Sequence, residues 1–307
     1  MLGFLGRQAR WILLGGIALC FFIPEVSRFL RPALPFLVCV VLGLAMARVD
    51  MVATLRASVQ PGRLGFLFLV MVVLMPVSAG IYRFVATAVG LDTEMVMALV
   101  YLAAAPPIAS TGTLCFILGY NARLAVEVTV ASMLLTPVLG PLTVALFLPG
   151  EVVITPVELA VKLFLMIAGA CLFALVLNLV AGRERLMRYS TELDGVGVIA
   201  LIVFVIPLFD GVPQLLAADP VWGLKVLVLA TIANIGVNLL VQFLAGLAGP
   251  PGDTGALGVL FGNRTIAIYL AALPFIESFS VFVALYQVPM LLTPLILRAF
   301  SFRNRSI

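Results

Sequence analysis

The chain has 307 residues, of which 64% are hydrophobic and only 10% charged, and its formal net charge is +4. A water-soluble domain has about 25% charged residues, so this composition excludes a soluble globular protein. The sequence contains no histidine, which excludes histidine general bases, histidine metal sites and the usual hydrolase triads. Apolar stretches of about 20 residues recur throughout, which predicts an all-α polytopic membrane protein.

Charges, prolines and glycines divide the chain into ten predicted membrane spans. They are residues 11–29, 32–48, 63–88, 94–118, 121–148, 156–182, 192–213, 221–248, 254–274 and 278–300. The first is expected to be retained, because it lacks the small-residue cleavage site of a secretory signal. Most of the 18 lysines and arginines fall on the side of the two termini. We therefore expect a protein of the cytoplasmic (bacterial inner) membrane with both termini in the cytoplasm.

The predicted spans separate into two halves at Pro149-Gly150, which makes residues 1–150 a first repeat and 151–307 a second repeat of one membrane unit. Because each half holds an odd number of spans, the second half must insert in the opposite orientation, as inverted repeats do. The fourth spans of the two halves, 94–118 and 254–274, are then equivalent. These two spans have the least regular sequences.

The fourth span is predicted to be interrupted in its middle. Pro106 and Pro107 lack amide donors and disfavour a helix just before them. Small or hydroxylated residues follow, namely Ser110, Thr111, Gly112 and Thr113. Backbone left unpaired in lipid must be buried in protein or line an aqueous cavity, as it does in transporters. The alternative is an ordinary proline kink in which the hydroxyls bond to their own helix.

The ninth span carries the matching irregularity, in the sequence Gly262-Asn263-Arg264-Thr265. Arg264 is the one charged residue between Thr254 and Ile276. A guanidinium does not lose its proton in a protein, and its insertion at the centre of a membrane helix costs about 2.5–3.5 kcal/mol. A charge of that cost indicates a functional position.

Glu127 is a second charge inside a predicted span. Its partner could be Arg123, one helical turn earlier. It could instead be the counter-ion of Arg264, or a proton carrier. Thr129, on the same helix, could face the interruption of the fourth span, or its hydroxyl could bond to its own helix.

Other polar and cysteine residues carry less specific signals. Asn234, Asn238 and Gln242 follow one another at helical spacing in the eighth span, where they could join helices or line a cavity. The four cysteines are scattered within apolar segments, which predicts neither disulfides nor a metal site. We expect no cofactor. We also expect no nucleic-acid partner, because the small net charge lies in loops.

Several short motifs together resemble the bile acid:sodium symporter family. They are Phe22-Ile-Pro-Glu, Arg31-Pro-Ala-Leu-Pro, Leu74-Met-Pro, Pro106-Pro107 with its hydroxyl cluster, Gly119-Tyr-Asn-Ala and Gly262-Asn-Arg-Thr. The resemblance covers residues 11–300. It implies ten helices in a panel domain and a core domain, with spans four and nine crossing at unwound middles. It also implies transport of organic anions, usually driven by sodium.

The chain departs from this family at the positions that supply sodium ligands. The resemblance places those positions at Thr111, Gly112, Leu260, Arg264, Met71, Ala125 and Thr129. Of these, Thr129 keeps the residue type of the family. Sodium requires oxygen ligands, whereas apolar groups and a cation stand here. We therefore expect no sodium binding at these positions.

These observations predict a secondary transporter of a small organic anion that works by alternating access. Arg264 would be a fixed positive charge where the fourth and ninth helices cross. Transport would be coupled to protons, through Glu127, or would not be coupled. The alternative is a membrane-embedded sensor or accessory protein of the same fold that does not transport. The lack of histidine and of mid-membrane aspartate argues against an enzyme.

Overall fold

The structure of the protein is a computed structural model, which describes residues 8–49, 53–54, 56, 60–150, 154–247 and 249–303. Arg7 and Arg305, which contributed to the predicted orientation, lie outside these residues. Residues 151–153, at the predicted boundary between the repeats, also lie outside them. The described residues form helices joined by short turns, with a single isolated β-bridge.

Among the described residues, seven helices are long and apolar enough to cross a membrane. They are Pro24–Met46, Gly62–Val89, Ala122–Phe147, Pro156–Ala181, Ser190–Phe209, Pro220–Gly246 and Glu277–Ala299. The predicted all-α protein with membrane-spanning helices is therefore confirmed. Its surface agrees, because large apolar side chains point outward, such as Phe29 at 82% exposure and Phe116 at 78%. Soluble proteins rarely expose continuous apolar surfaces of this kind.

The helices of the first half are α1 to α8. Their bounds are α1 Ala9–Cys20, α2 Pro24–Leu30, α3 Leu34–Met46, α4 Pro61–Val72, α5 Ser78–Val89, α6 Thr93–Ala104, α7 Thr111–Leu118 and α8 Ala122–Phe147. A 3-10 turn, Arg31–Ala33, joins α2 to α3, and a π turn, Val73–Val77, joins α4 to α5.

The helices of the second half are α9 to α17. Their bounds are α9 Pro156–Ala181, α10 Arg183–Arg188, α11 Ser190–Val205, α12 Val212–Ala218, α13 Pro220–Thr231, α14 Val237–Gly246, α15 Pro251–Gly262, α16 Ala267–Ala272 and α17 Glu277–Arg303. A 3-10 turn, Ile206–Phe209, extends α11, and a π turn, Ile232–Gly236, joins α13 to α14.

The predicted boundary between the first two spans is wrong. The chain breaks after Cys20, not near Phe29, and then runs as one helical segment from Pro24 to Met46. Pro24 occupies the first turn of α2, a position where the missing amide leaves no hydrogen bond unmade. Pro32 does not end this segment, because it lies at the start of the tighter 3-10 turn.

The helices pack as two groups. The first helix group contains α1, α2, α3, α9, α10 and α11, and its closest pair is α3 against α9. The second helix group contains α4 to α8 and α12 to α17. Between the groups, α16 packs against α3 and α9, α17 packs against Ile206–Phe209, and α8 packs against α9.

We expect Gly43→Ala to lower the free energy of unfolding by about 1–3 kcal/mol, the range for overpacked cores. Gly43 lies where α3 meets α9, and a Cβ there would come within 2.6 Å of Phe173 Cδ1 and 2.9 Å of the Ala170 carbonyl oxygen. A backbone carbonyl cannot move aside as a flexible side chain can. The thermal unfolding midpoint of the purified protein in detergent measures the effect.

Gly65→Ala is the matched control for this substitution. A Cβ at Gly65 would have no atom within 4 Å, and alanine favours a helix over glycine. Its midpoint should equal or exceed that of the parent protein. Equal midpoints for the two variants would contradict the close packing at Gly43.

Candidate functional site

Two helices end inside the second helix group, and the chains that follow pair with each other. Helix α6 ends at Ala104 and α15 ends at Gly262, and Ala105 and Asn263 continue in extended conformation. The Ile108 amide donates to the Asn263 carbonyl at 3.0 Å, and the Thr265 amide donates to the Pro106 carbonyl at 2.8 Å. These bonds form an antiparallel bridge between Pro107 and Arg264.

Local chemistry accounts for both interruptions. The adjacent prolines 106 and 107 cannot donate amides to the preceding turn, so α6 ends before them. At the second interruption, Gly262 allows a close approach to the π turn Ile232–Gly236. A Cβ on Gly262 would lie 2.5 Å from the Asn234 carbonyl oxygen and 2.7 Å from Asn238 Cβ. Glycine is therefore required where α15 ends.

The guanidinium of Arg264 is held by three backbone carbonyls. Nε donates to Phe261 at 3.1 Å, Nη1 to Ala105 at 3.0 Å and Nη2 to Leu74 at 2.7 Å. Phe261 lies in the last turn of α15 and Ala105 directly follows α6, where helix carbonyls lack intrahelical partners and the helix dipole is negative. Arg264 is only 2% exposed, so it satisfies these carbonyls away from water.

The third carbonyl is available because of the π turn in the third predicted span. Pro76 lies within this turn and has no amide to donate, so the regular α-helical bonding cannot continue through it. The Leu74 carbonyl accepts the Ser78 hydroxyl as well as Arg264 Nη2. The turn thereby presents a helix carbonyl to a side chain from another helix.

No carboxylate pairs with Arg264 among the residues that the structure describes. Its charge is met by carbonyl dipoles and by the ring of Phe261, whose centroid is 5.5 Å from the guanidinium carbon. Carbonyls satisfy the donors of a guanidinium but do not cancel its unit charge. The interior therefore retains a positive charge beside the two interruptions.

A buried polar network fixes the backbone around Arg264. Asn234 Nδ2 and the Tyr286 hydroxyl both donate to the Gly262 carbonyl at 2.5 Å. The Arg264 amide donates to the Tyr286 oxygen at 3.1 Å, and the Thr293 hydroxyl donates to Asn234 Oδ1 at 2.7 Å. The eighth and tenth predicted spans thus hold the second interruption in place. Asn234 joins helices, one of the two roles that its sequence pattern allowed.

The polar residues of the first interruption divide into a buried set and an exposed set. Thr111 is buried and donates its hydroxyl to the Ile108 carbonyl, and Gly112 is buried against Val126. Ser110 and Thr113 are exposed at the start of α7, which has no side-chain cap. Within the described residues, the amides of Gly112 and Thr113 have no hydrogen-bond partner. The start of α7 therefore has two amides that remain unpaired within the described residues.

Of the residues predicted at the second interruption, Thr265 bonds across to the first. Its hydroxyl donates to the Pro107 carbonyl at 3.2 Å, beside the bond made by its amide. Asn263 is fully buried and donates through Nδ2 to the Val259 carbonyl at 3.1 Å. The side chains of Thr265 and Asn263 therefore stabilise the backbone. The exposed polar residues, Ser110 and Thr113, belong to the first interruption.

The alternative in which Glu127 is the counter-ion of Arg264 is wrong. Glu127 pairs with Arg123 at 2.8 Å, as the helical spacing allowed, and with Arg63 Nη2 at 2.6 Å. Its side chain is 3% exposed, and the pairing with Arg63 joins the start of α4 to the start of α8. Arg63 was not predicted as a partner, because it is far from Glu127 in sequence.

The structure tests one of the two alternatives for the Thr129 hydroxyl. Thr129 is 5% exposed, and its Oγ1 atom has no hydrogen-bond partner among the described residues. The interpretation in which this hydroxyl bonds to its own helix is therefore wrong. Ser132 Oγ, nearly one turn along α8, is also buried without a partner.

The groups that contact Arg264 directly could not be identified from the sequence. They are the carbonyls of Leu74, Ala105 and Phe261 and the hydroxyl of Tyr286. Every residue carries a carbonyl, so no residue type marks the ones that serve as acceptors. Pro76 gave an indirect signal, because a proline inside a span indicates a disturbed helix whose carbonyls need other donors.

We expect Arg264→Met to lower the thermal unfolding midpoint in detergent. The change removes the Arg264 donors from the carbonyls of Ala105 and Phe261, and a buried polar group left without a partner costs about 1–3 kcal/mol. The Leu74 carbonyl keeps the Ser78 hydroxyl as a donor. Arg264→Lys keeps the charge but lacks the planar fork, so its midpoint should lie between those of Arg264→Met and the parent. Arg188→Gln, which removes an exposed arginine, is the control and should have no effect.

Free guanidinium tests whether the vacated carbonyls form a site. Millimolar guanidinium should raise the midpoint of Arg264→Ala but not that of Arg188→Gln, and choline should raise neither. An Arg264→Met variant as stable as the parent would contradict the role assigned to these three bonds.

Comparisons with known proteins assign no family to the chain. No protein-family model matches it, and no curated protein matches it. What the protein does therefore has to follow from the contacts, charges and backbone geometry of its own residues.

Proposed function

We propose that the protein is a secondary transporter of a small organic anion. In this proposal α6 with α7 and α15 with α16 are two discontinuous membrane spans that cross at their interrupted middles. The bonds between residues 106–108 and 263–265 support this arrangement, because they join the two interruptions directly. Interrupted spans of this kind surround the central sites of many transporters.

The two π turns support the proposed inverted repeats. Val73–Val77 lies in the third predicted span and Ile232–Gly236 in the eighth, which are equivalent spans of the two halves. Both turns contact the second interruption, the first through the Leu74 carbonyl and the second through Asn234. Ten spans in two inverted repeats would place both turns symmetrically beside the crossing.

The observation that carries the proposal is the buried charge of Arg264 without a carboxylate. In a medium of low dielectric constant, a charge that is not cancelled attracts an ion of opposite sign strongly. The carbonyls already hold the guanidinium in place, so we propose that it acts on the anion through its field. Direct contacts would come from the start of α7, which follows Pro107 by a few residues.

The proposed anion site consists of the amides of Gly112 and Thr113 and the hydroxyls of Ser110 and Thr113. Amides at the start of a helix point toward an anion and carry the positive end of the helix dipole. Ser110 and Thr113 are both exposed residues, which agrees with a role of their hydroxyls in binding. A carboxylate is the organic anion that such hydrogen-bond donors suit best.

The two helix groups supply the moving parts of the proposed mechanism. The second helix group holds both interruptions and Arg264, and would be the core domain, while the first helix group would be the panel domain. Movement of one group against the other would expose the site to each side of the membrane in turn. The distribution of lysine and arginine supports an orientation with both termini in the cytoplasm.

The resemblance to the bile acid:sodium symporter family supports the same function, but not its sodium coupling. Arg264 places a permanent cation among carbonyl oxygens, which are the kind of ligands that sodium requires. We therefore propose transport without sodium. Proton coupling through Glu127 stays a prediction, and its ion pairs with Arg63 and Arg123 give that carboxylate a structural role.

We expect proteoliposomes that contain the protein to take up small carboxylates equally well when sodium is replaced by potassium or choline. Uptake of radiolabelled mono- and dicarboxylates, compared with empty liposomes, is the measurement. Uptake that depends strictly on sodium would refute the sodium-independent mechanism. Binding of the anion without uptake would show the alternative, a sensor or accessory protein of this fold.

We expect Thr113→Val to weaken the binding of the best-transported anion by about ten- to a hundredfold, since a hydrogen bond to a charged group contributes about 1.5–3 kcal/mol. The change keeps the shape of the side chain and removes its hydroxyl. The concentration at half-maximal uptake is the measurement. Thr87→Val is the control, because the Thr87 hydroxyl is exposed and bonds to the Arg83 carbonyl in α5. Equal effects of the two variants would remove Thr113 from the site.

A further inference from the structure

At one end of the molecule, an arginine bridges the two helix groups. Arg31 begins the 3-10 turn between α2 and α3. Its Nη1 atom donates to Asp210 Oδ2 at 3.1 Å, and its guanidinium carbon lies 3.6 Å from the centroid of the Phe275 ring. Arg31 and Asp210 belong to the first helix group, whereas Phe275 lies between α16 and α17 of the second. We call this the Arg31 end.

The chain segments around Arg31 also meet across the two groups. A Cβ on Gly211 would lie 3.5 Å from Phe275 Cζ and 3.6 Å from Glu277 Oε1, so the turn after Asp210 faces the start of α17. Gly211 has a φ of +76°, which other residues rarely adopt. Gly211 therefore allows the turn that carries Asp210 to lie beside Phe275, which Arg31 also contacts.

Open space lies beside the arginine. A cavity of about 310 Å³ is lined by Arg31 and Leu34 of the first group and by Leu270 and Phe275 of the second. The stacked guanidinium is not the sole contact between the groups, because α16 packs against α3 and α17 packs against Ile206–Phe209. It is a polar contact that lies beside this cavity.

The opposite end is arranged differently. Its ion pairs Arg63–Glu127 and Arg48–Asp194 each join helices of one group. These pairs would stabilise the groups separately and would not oppose their separation. The Arg31 contact crosses between the groups, so separation at its end must break it.

We propose that Arg31, Asp210 and Phe275 form a latch that keeps the two helix groups closed at the Arg31 end. Asp210 orients the guanidinium, and the planar guanidinium stacks on Phe275, as a lysine ammonium could not. The latch rests on the proposed function, because transport would require it to open in each cycle. By the predicted orientation, the latch faces the side away from the cytoplasm.

Thiol accessibility tests the latch without measuring transport. Ala271 lines the same cavity, and an Ala271→Cys reporter can be treated with a charged maleimide in detergent, with the labelling of the native cysteines subtracted. Adding Arg31→Gln should accelerate labelling roughly fivefold, the change expected when a weak cation–π contact is lost. Phe275→Leu, which retains an apolar side chain, should accelerate it similarly.

Arg28→Gln is the matched control for Arg31→Gln. Arg28 approaches the same aspartate, but only to 3.9 Å and with 80% of its side chain exposed, so labelling should not change. Labelling at the parent rate in both Arg31→Gln and Phe275→Leu would overturn the latch, as would equal acceleration by Arg28→Gln. If Arg31→Gln does not fold, Phe275→Leu decides alone.

The outcomes also separate the latch from the proposed function. Faster labelling together with no uptake of any anion by the parent protein would support the latch and refute transport. Unchanged labelling with normal uptake would refute the latch and leave transport standing.

Discussion

The interior is organised around a guanidinium that can neither lose its proton nor reach water. Arg264 must therefore find acceptors inside the protein, and it finds three carbonyls from separate segments of the chain. Two of these segments end helices, and the third is a π turn. The carbonyls at the ends of α6 and α15, which lack intrahelical partners, thus accept hydrogen bonds from Arg264. The cation in turn lies at the negative ends of two helix dipoles. The carbonyls at these three backbone irregularities therefore accept the hydrogen bonds that the buried guanidinium has to donate.

The use of carbonyls, instead of a carboxylate, determines what the site can attract. A buried aspartate beside Arg264 would cancel its charge and leave no field for a ligand. Glu127, a buried acidic residue, is instead paired with Arg63 and Arg123 near the start of α8. In the proposed function, the positive charge of Arg264 would attract an anion to the start of α7.

The hydrogen bonds at the two interruptions and the contacts of Arg31 are distributed differently over the two helix groups. Both interruptions, Arg264 and the network of Asn234 and Tyr286 lie within the second helix group. The stacking of Arg31 on Phe275 crosses between the groups. In the proposed mechanism, the site would therefore move as one unit, whereas the Arg31 contact would have to break.

The sequence by itself determined the all-α membrane character, the positions of both interruptions and the cost of burying Arg264. These properties follow from local chemistry, because proline lacks an amide and arginine keeps its charge. Only the tertiary structure decided the partners, because Arg264 bonds to carbonyls 159 and 190 residues away. Carbonyls belong to every residue and leave no pattern in a sequence. Likewise, helical spacing indicated Arg123 as a partner of Glu127, whereas Arg63 reaches it only because α4 packs against α8.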